Sequence, residues 1–267
     1  MNDDEVFRLL TQEYSIILAT SDEEIEAVKK IREEVFAPKL ALSSEVLEEK
    51  GFLYGESDRQ SFLYLLRENV TGRYVGTSRI FFVNHLTPIS KITKEIYSYV
   101  ENIDLLTVDY PVCEISRFAL SSQLTPYKNL SALQLRGYLS MALMATIGIT
   151  LFLYRCEHIF ATMERSLHRI IKRQNIEFEQ IGASVEYYGT RTPYMIRREI
   201  LISDAKEIFE RIVLFYLKEL CQDKQRLDNY IDQHPYLNRS DMQVDRVCEL
   251  VAKYGDQLKV SHLVEES

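Results

Sequence analysis

Between Arg136 and Arg155 the chain runs for eighteen residues, Gly137 to Tyr154 (GYLSMALMATIGITLFLY), without a charged side chain. A segment of that length and composition must leave water, either by crossing a bilayer at the lower limit of span length or by forming the buried centre of a fold. Two glycines, two threonines and a serine dilute its hydrophobicity, and short apolar segments on both sides need a surface to pack on. The run is therefore expected to be a core helix, with no stable membrane insertion.

The flanking pattern supplies the strands. YSIILAT (14–20) reads as a first strand. Ser21 and Glu24 then form a capping box, followed by Ile25, Val28, Ile31, Arg32 and Val35 at helical spacing. Residues 37–60 hold Pro38, two glycines and many polar residues, which predicts a loop with about one helical turn. SFLYLLRE (61–68) and RYVGTSRIFFV (73–83) flank Asn69–Gly72 as a hairpin, and a helix is expected near 91–101. VCEISRFAL (112–120) and CEHIFATM (156–163) are strands on either side of the apolar helix. A short basic helix (Arg165–Gln174) and a second hairpin, 178–189 with 192–201, complete an α/β (α+β) domain over 1–202, built on one mixed sheet. From 203 to 267 the pattern is helical only: Ile208, Phe209, Ile212, Val213, Tyr216 and Leu220 recur at three and four, and a Ser240/Gln243 capping box precedes Val244, Val247, Cys248 and Val251. This extension is expected to pack back on the domain or to serve an interface, including one between copies of the chain.

Glycine and charge exclude several function classes. The nine glycines never lie closer than four positions apart, so neither G-x-G-x-x-G nor a Walker loop can form. A net charge of −8 and a pI near 5.3 argue against duplex nucleic acid as a partner. The four cysteines, Cys113, Cys156, Cys221 and Cys248, form no C-x-x-C pair, and no histidine stands at a metal-ligand spacing from them. They are read as reduced core residues of a cytoplasmic protein with no bound metal, and the acidic start MNDDEVFRLL does not resemble a signal peptide.

Charged residues inside apolar strands are the candidates for chemistry. Strand alternation places Glu114 and Ser116 of VCEISRFAL on one face and Arg117 on the other. Arg79 sits in the apolar strand GTSRIFF, Arg32 ends the apolar stripe of the first helix four residues before Phe36, and Asp58 stands at the entry to a strand. Buried charges require partners, so these residues form either a structural ion-pair network or a site.

R-x-x-x-F at 32–36, an acidic motif in ESDRQSF, G-x-x-R at 76–79 and E-x-S-R at 114–117, in that order, are similar to the acyl-homoserine lactone (autoinducer) synthases, which share the GNAT acyltransferase fold. The block ATMERSLHRIIKRQNIEFEQIGASVEYYGTRTPYMI resembles a sister group, the acyltransferases associated with the PEP-CTERM/exosortase system, related in turn to long-chain N-acyl amino acid synthases. The resemblance covers about residues 14–200 and implies a GNAT-like mixed sheet flanked by helices. It departs from the autoinducer synthases at Ser61, where the pattern has a second aspartate, and at Leu42, where it has tryptophan, a residue this chain lacks altogether. Both departures remove residues associated with S-adenosylmethionine.

The resemblance implies an N-acyltransferase that moves a medium or long acyl chain from a thioester to the amine of an amino acid or similar small acceptor. Glu114, Arg117 and Arg79 would be catalytic, with Glu114 the base. Arg32, Phe36, Asp58, Ser116 and Phe118 would bind substrate, and Tyr187, Tyr188 and Tyr194 are either candidate acids for the thiolate or core aromatics. No permanently bound cofactor is implied; the acyl thioester, on a carrier protein or on CoA, is a co-substrate. The sequence after the Glu114 strand, SSQLTPYKNLSALQLRG, has no glycine before Gly137, so the usual loop that curls around the CoA diphosphate is missing, which favours an acyl carrier protein. Residues 155–198 hold eight basic and five acidic side chains, leaving −11 on the rest of the chain, and Arg165, Arg169, Lys172 and Arg173 share a helix face on which an acidic carrier protein could dock. An autoinducer synthase using S-adenosylmethionine, and a non-catalytic protein binding an acyl ligand or a partner, are the alternatives.

Overall fold

A computed structural model describes residues 1–83, 112–234, 237 and 239–264. The helix expected at 91–101 lies outside the described residues. The sheet order is β1-β2-β3-β4-β5-β8-β6, with β7 also on β8. Its strands are β1 (Tyr14–Leu18), β2 (Ser61–Glu68), β3 (Tyr74–Val83), β4 (Val112–Leu120), β5 (His158–Met163), β6 (Glu179–Gln180), β7 (Val185–Glu186) and β8 (Thr190–Arg197). Among the described residues only β4 and β5 pair in parallel, because the core helix carries the chain back across the sheet between them.

That helix, α4 (Ala132–Leu153), contains most of the uncharged run, buried as expected. Its earlier companions are α1 (Asp3–Glu13), α2 (Asp22–Leu40) and α3 (Ser44–Glu49). Ser131 and Gln134 close a capping box at the start of α4, and Arg136, Ser140, Thr146 and Thr150 along it all find hydrogen-bond partners. Thr150 and Thr146 bond back to carbonyls one turn earlier and meet the hydroxyls of Tyr64 (2.9 Å) and Ser78 (3.1 Å) on the sheet. Gly148 lets α4 approach α7 (Glu207–Gln222): a Cβ there would lie 2.8 Å from Val213 Cγ2.

The helices α5 (Arg165–Lys172), α6 (Arg198–Asp204), α7, α8 (Lys224–Gln233), α9 (Val244–Tyr254) and α10 (Val260–Val264) follow. Residues 207–264 share the main apolar cluster with α1, α4 and the sheet. A smaller cluster on the opposite face joins α2 to β2 through Val28, Ile31, Leu63 and Leu65.

Several expectations are corrected. Residues 3–13 form a helix with an Asn2/Glu5 capping box that buries Val6, Leu9 and Leu10, where none was expected. The 178–189 strand breaks into β6 and β7 because Gln180 and Ser184 turn their side chains to Gly182 O and Thr192 Oγ1, and residues 198–201 belong to α6. Ser240 does not cap α9; a 3₁₀ turn at Arg239–Asp241 intervenes and Gln243 takes the cap position. Cys221 and Cys248 are joined in a disulfide between α7 and α9, whereas Cys113 and Cys156 are buried thiols outside any disulfide. Their helices are brought side by side by apolar packing, which spacing along the chain does not reveal.

Candidate active site

The site lies where two neighbouring strands part. β4 and β5 pair from Val112/His158 to Ile115/Ala161 and then separate. β4 continues along β3 to Leu120/Gly76, and β5 continues along β8 to Met163/Thr192. A cavity of about 200 Å³ opens in this fork, with a charged end at Arg79, Glu114, Ser116 and Arg117. Its apolar end is made by Met144 and Ile147 of α4, Ala161 and Met163 of β5, and Leu167 and Ile171 of α5.

Arg32, fully buried on α2, donates from Nη1 to Asp58 Oδ1 (2.8 Å) and to the Leu53 carbonyl (2.8 Å). Asp58 also accepts from the Gly55 amide (2.9 Å). Arg79 reaches both carboxylates, with Nη1 3.8 Å from Asp58 Oδ1 and Nη2 3.7 Å from Glu114 Oε1, and donates through Nε to Ser116 Oγ (2.9 Å). Burial lowers the pKa of Arg32, partly offset by Asp58. Burial pushes Asp58 up, but Arg32 and Arg79 outweigh it and hold the carboxyl below its usual range.

Arg117 corrects the alternation argument. Arg79 pairs with Ser116 and Thr77 with Ala119, so Arg117 and Phe118 together oppose Ser78 in a bulge. Arg117 takes φ +54°, a left-handed conformation unfavourable for a side-chain-bearing residue, and joins Glu114 and Ser116 on the cavity. Its guanidinium lies 4.4 Å from the Phe52 ring centroid and donates to Gly51 O (3.3 Å). Burial, then Arg79 and Arg32, pull its pKa down to about 9. Among the described residues, three arginines thus share two carboxylates, one positive charge in excess.

Phe36 and Phe118 line the cavity. Ser61, at the departure from the family pattern, is fully buried and donates from Oγ to Ser57 O (2.6 Å), fastening the 3₁₀ turn Asp58–Gln60. Tyr187 and Tyr188 border the cavity, and Tyr188 packs edge-on against Phe52, which in turn meets Phe36. Tyr194 is a core residue, stacked on His168 at 4.3 Å. Arg165, Arg169, Lys172 and Arg173 are all exposed, while Leu167 and Ile171 of the same helix face the cavity. Lys172 is already paired with Glu177 at 2.9 Å.

Two features had no sequence signal. Glu164, at the cavity rim, is bridged to Lys39 of α2 (2.8 Å) and to Arg191 of β8. Glu34 accepts from the Ser122 amide (2.7 Å) and from the hydroxyls of Ser121 and Ser122, so a carboxylate of the chain itself fills the turn that follows β4.

Strand order, fork and core helix make a GNAT-like fold, a mixed sheet flanked by helices. No protein-family model matches the chain, and no curated protein matches it by sequence. Among solved structures, TofI in an apo form aligns with a TM-score of 0.50 at 14% identity, over 74% of this chain and 95% of that one. FeeM, an N-acyl amino acid synthase from uncultured soil microbes, aligns at 0.47 and 15% identity over 72% and 94%. A GNAT-family acetyltransferase from Streptococcus agalactiae aligns at 0.43 and 14% over 69% and 95%. At 14% identity the likeness to TofI is one of fold.

Proposed function

We propose that the chain is an N-acyltransferase moving a medium or long acyl group from a phosphopantetheine thioester to the amine of an amino acid or similar carboxylate-bearing acceptor. The observation that carries this reading is the position of Glu114 in the β4/β5 fork, between an apolar chamber and a buried cluster with surplus positive charge. The acyl chain occupies the apolar end, each buried methylene contributing about 0.8 kcal/mol. The surplus charge of Arg32, Arg79 and Arg117 suits a carboxylate on the acceptor, with Arg117 the arginine that has no carboxylate within bonding distance among the described residues.

In the reaction the acceptor nitrogen attacks the thioester carbonyl and its proton passes to Glu114, directly or through water. The C–S bond then breaks and the pantetheine thiolate takes up a proton, for which Tyr187 and Tyr188 at the rim are the candidate donors. Beyond Ile115 the edge of β4 that would bond β5 is open, and its backbone amides are the candidate donors to the tetrahedral oxyanion.

Two features favour a carrier protein over CoA as donor. Glu34 occupies the turn after β4, and the Ser131/Gln134 box already caps α4, so the groups that would hold a diphosphate are engaged or faced by a carboxylate. The exposed face of α5, with Arg165, Arg169 and Arg173 around the half-exposed Ile170, borders the cavity where an acidic carrier would deliver its arm. The likeness of the 161–196 segment to the PEP-CTERM-associated acyltransferases accords with this reading. On this reading the enzyme works in the cytoplasm with its donors, where Cys221–Cys248 would be open to reduction.

The test is incubation with acyl-carrier-protein and acyl-CoA thioesters and pooled amino acids, following thiol release and acyl-amide mass. Carrier-dependent amide formation supports the reading, and folded protein that turns over no chain length refutes it. Methylthioadenosine release with S-adenosylmethionine would instead identify an autoinducer synthase.

A further inference from the structure

The C-terminal helices reach the charged cluster through one helix. β2 runs three residues beyond the end of β1: the last pair is Leu18/Tyr64, leaving Ser61, Phe62 and Leu63 with an edge that no strand among the described residues covers. The Ala19 amide bonds Leu63 O (2.8 Å), and Tyr230 of α8 takes the rest. Its hydroxyl donates to the Ser61 carbonyl and accepts from the Leu63 amide (3.2 Å), while its ring packs on Phe62 at 5.4 Å. One turn earlier on α8, Arg226 Nη2 donates to the Leu18 carbonyl (2.6 Å) and to Glu24 Oε1 (2.5 Å). Glu24 in turn accepts the amides of Thr20 (2.7 Å) and Ser21 (3.0 Å), closing the first turn of α2.

The two anchors hold the two elements that must stay in register for the cluster to exist. Ser61 ends the 3₁₀ turn that presents Asp58, and Glu24 opens the helix that presents Arg32. We infer that α8 is a brace for the acceptor end of the site, and that Tyr230 is a positioning residue for the Arg32–Asp58 pair. The inference rests on the acyltransferase reading for its kinetic consequence, and on the hydrogen bonds alone for its structural one. A buried tyrosine among aromatic neighbours needs no second strand-like bond pattern for packing; its hydroxyl here replaces a missing strand.

The test compares wild type with Tyr230→Phe, which keeps the ring and removes the hydroxyl, and with Val247→Ala, a cavity-forming change in buried α9 of the same helical unit. Amide exchange is measured over residues 55–63 and over β5, alongside KM for acyl donor and for acceptor. Tyr230→Phe is expected to speed exchange over 55–63 but not over β5, and to raise the acceptor KM roughly five- to tenfold with donor KM and kcat within about twofold. Val247→Ala is expected to lower stability without moving the acceptor KM. Unchanged exchange over 55–63 overturns the brace. Faster exchange with an unchanged acceptor KM, or equal loss from both variants, overturns the positioning role. Should wild type turn over no substrate, the functional reading fails while the exchange experiment still decides the brace.

Discussion

Replacing Asp58 by asparagine removes one charge from the centre of the site and keeps the side chain's shape. In the native protein Asp58 lies 2.8 Å from Arg32 and 3.8 Å from Arg79, and neither it nor Arg32 is exposed. At an effective dielectric of about 20 these contacts represent about 6 and about 4 kcal/mol of gross attraction, much of it spent on desolvation. Breaking a buried pair by removing one partner leaves a net loss of about 3–5 kcal/mol, since Arg32, Arg79 and Arg117 would then share Glu114 alone. Urea unfolding at pH 7 should show this as a fall in midpoint on the order of 1–2 M at unchanged slope. The pH dependence follows from the lowered pKa of Asp58. Its contribution is present above the ordinary aspartate range and is lost as pH falls through the folded-state value, so wild type and variant should converge in acid. A midpoint shift below about 0.3 M, or a difference that persists in acid, would refute the assignment of a structural charge pair.

Three further outcomes follow from other parts of the molecule. Ala161→Phe fills the apolar end of the cavity, so kcat/KM for long acyl donors should drop by about fourfold per excluded carbon while short donors are spared; an even loss across chain lengths counts against the tunnel. Glu164, held by Lys39 and Arg191, has its pKa lowered to about 2 although partial burial opposes this. Glu164→Gln should therefore lose stability above about pH 4.5 and match wild type near pH 2, and a pH-independent difference would contradict the bridge. Reducing the Cys221–Cys248 disulfide, which spans 27 residues, should cost about 3–4 kcal/mol by loop entropy and lower the melting temperature by several degrees; no shift in reductant would contradict it.

What could be read from the sequence was local. The Ser21/Glu24 box, the uncharged run and the strands at 61–68, 74–83 and 112–120 carry their signal locally and formed where expected, whereas the strand expected over 178–189 did not. Glu114, Ser116 and Arg79 were legible because charge in an apolar strand demands a partner on the neighbouring strand. The placement of Arg117 was not, because its bulge is set by pairing with β3, 37 residues away for Arg79 and Ser116. Glu34, 88 residues from the turn it fills, and Tyr230, 169 residues from the carbonyl it bonds, are ordinary surface and aromatic residues until the chain has folded. Even the N-terminal helix carried a legible capping box, Asn2 with Glu5, which the acidic character of the segment obscured.

The central claim is that Glu114, at the fork of β4 and β5, takes the proton of an acceptor amine during acyl transfer. Single-turnover reactions of wild type and Glu114→Gln with acyl carrier protein and an amino-acid acceptor, read by mass spectrometry of the amide, test it directly. The account predicts an acyl amide from wild type and a rate at least about 100-fold lower from the variant at an unchanged unfolding midpoint. A folded wild type that yields no amide, or a variant that forms it at the wild-type rate, would contradict it.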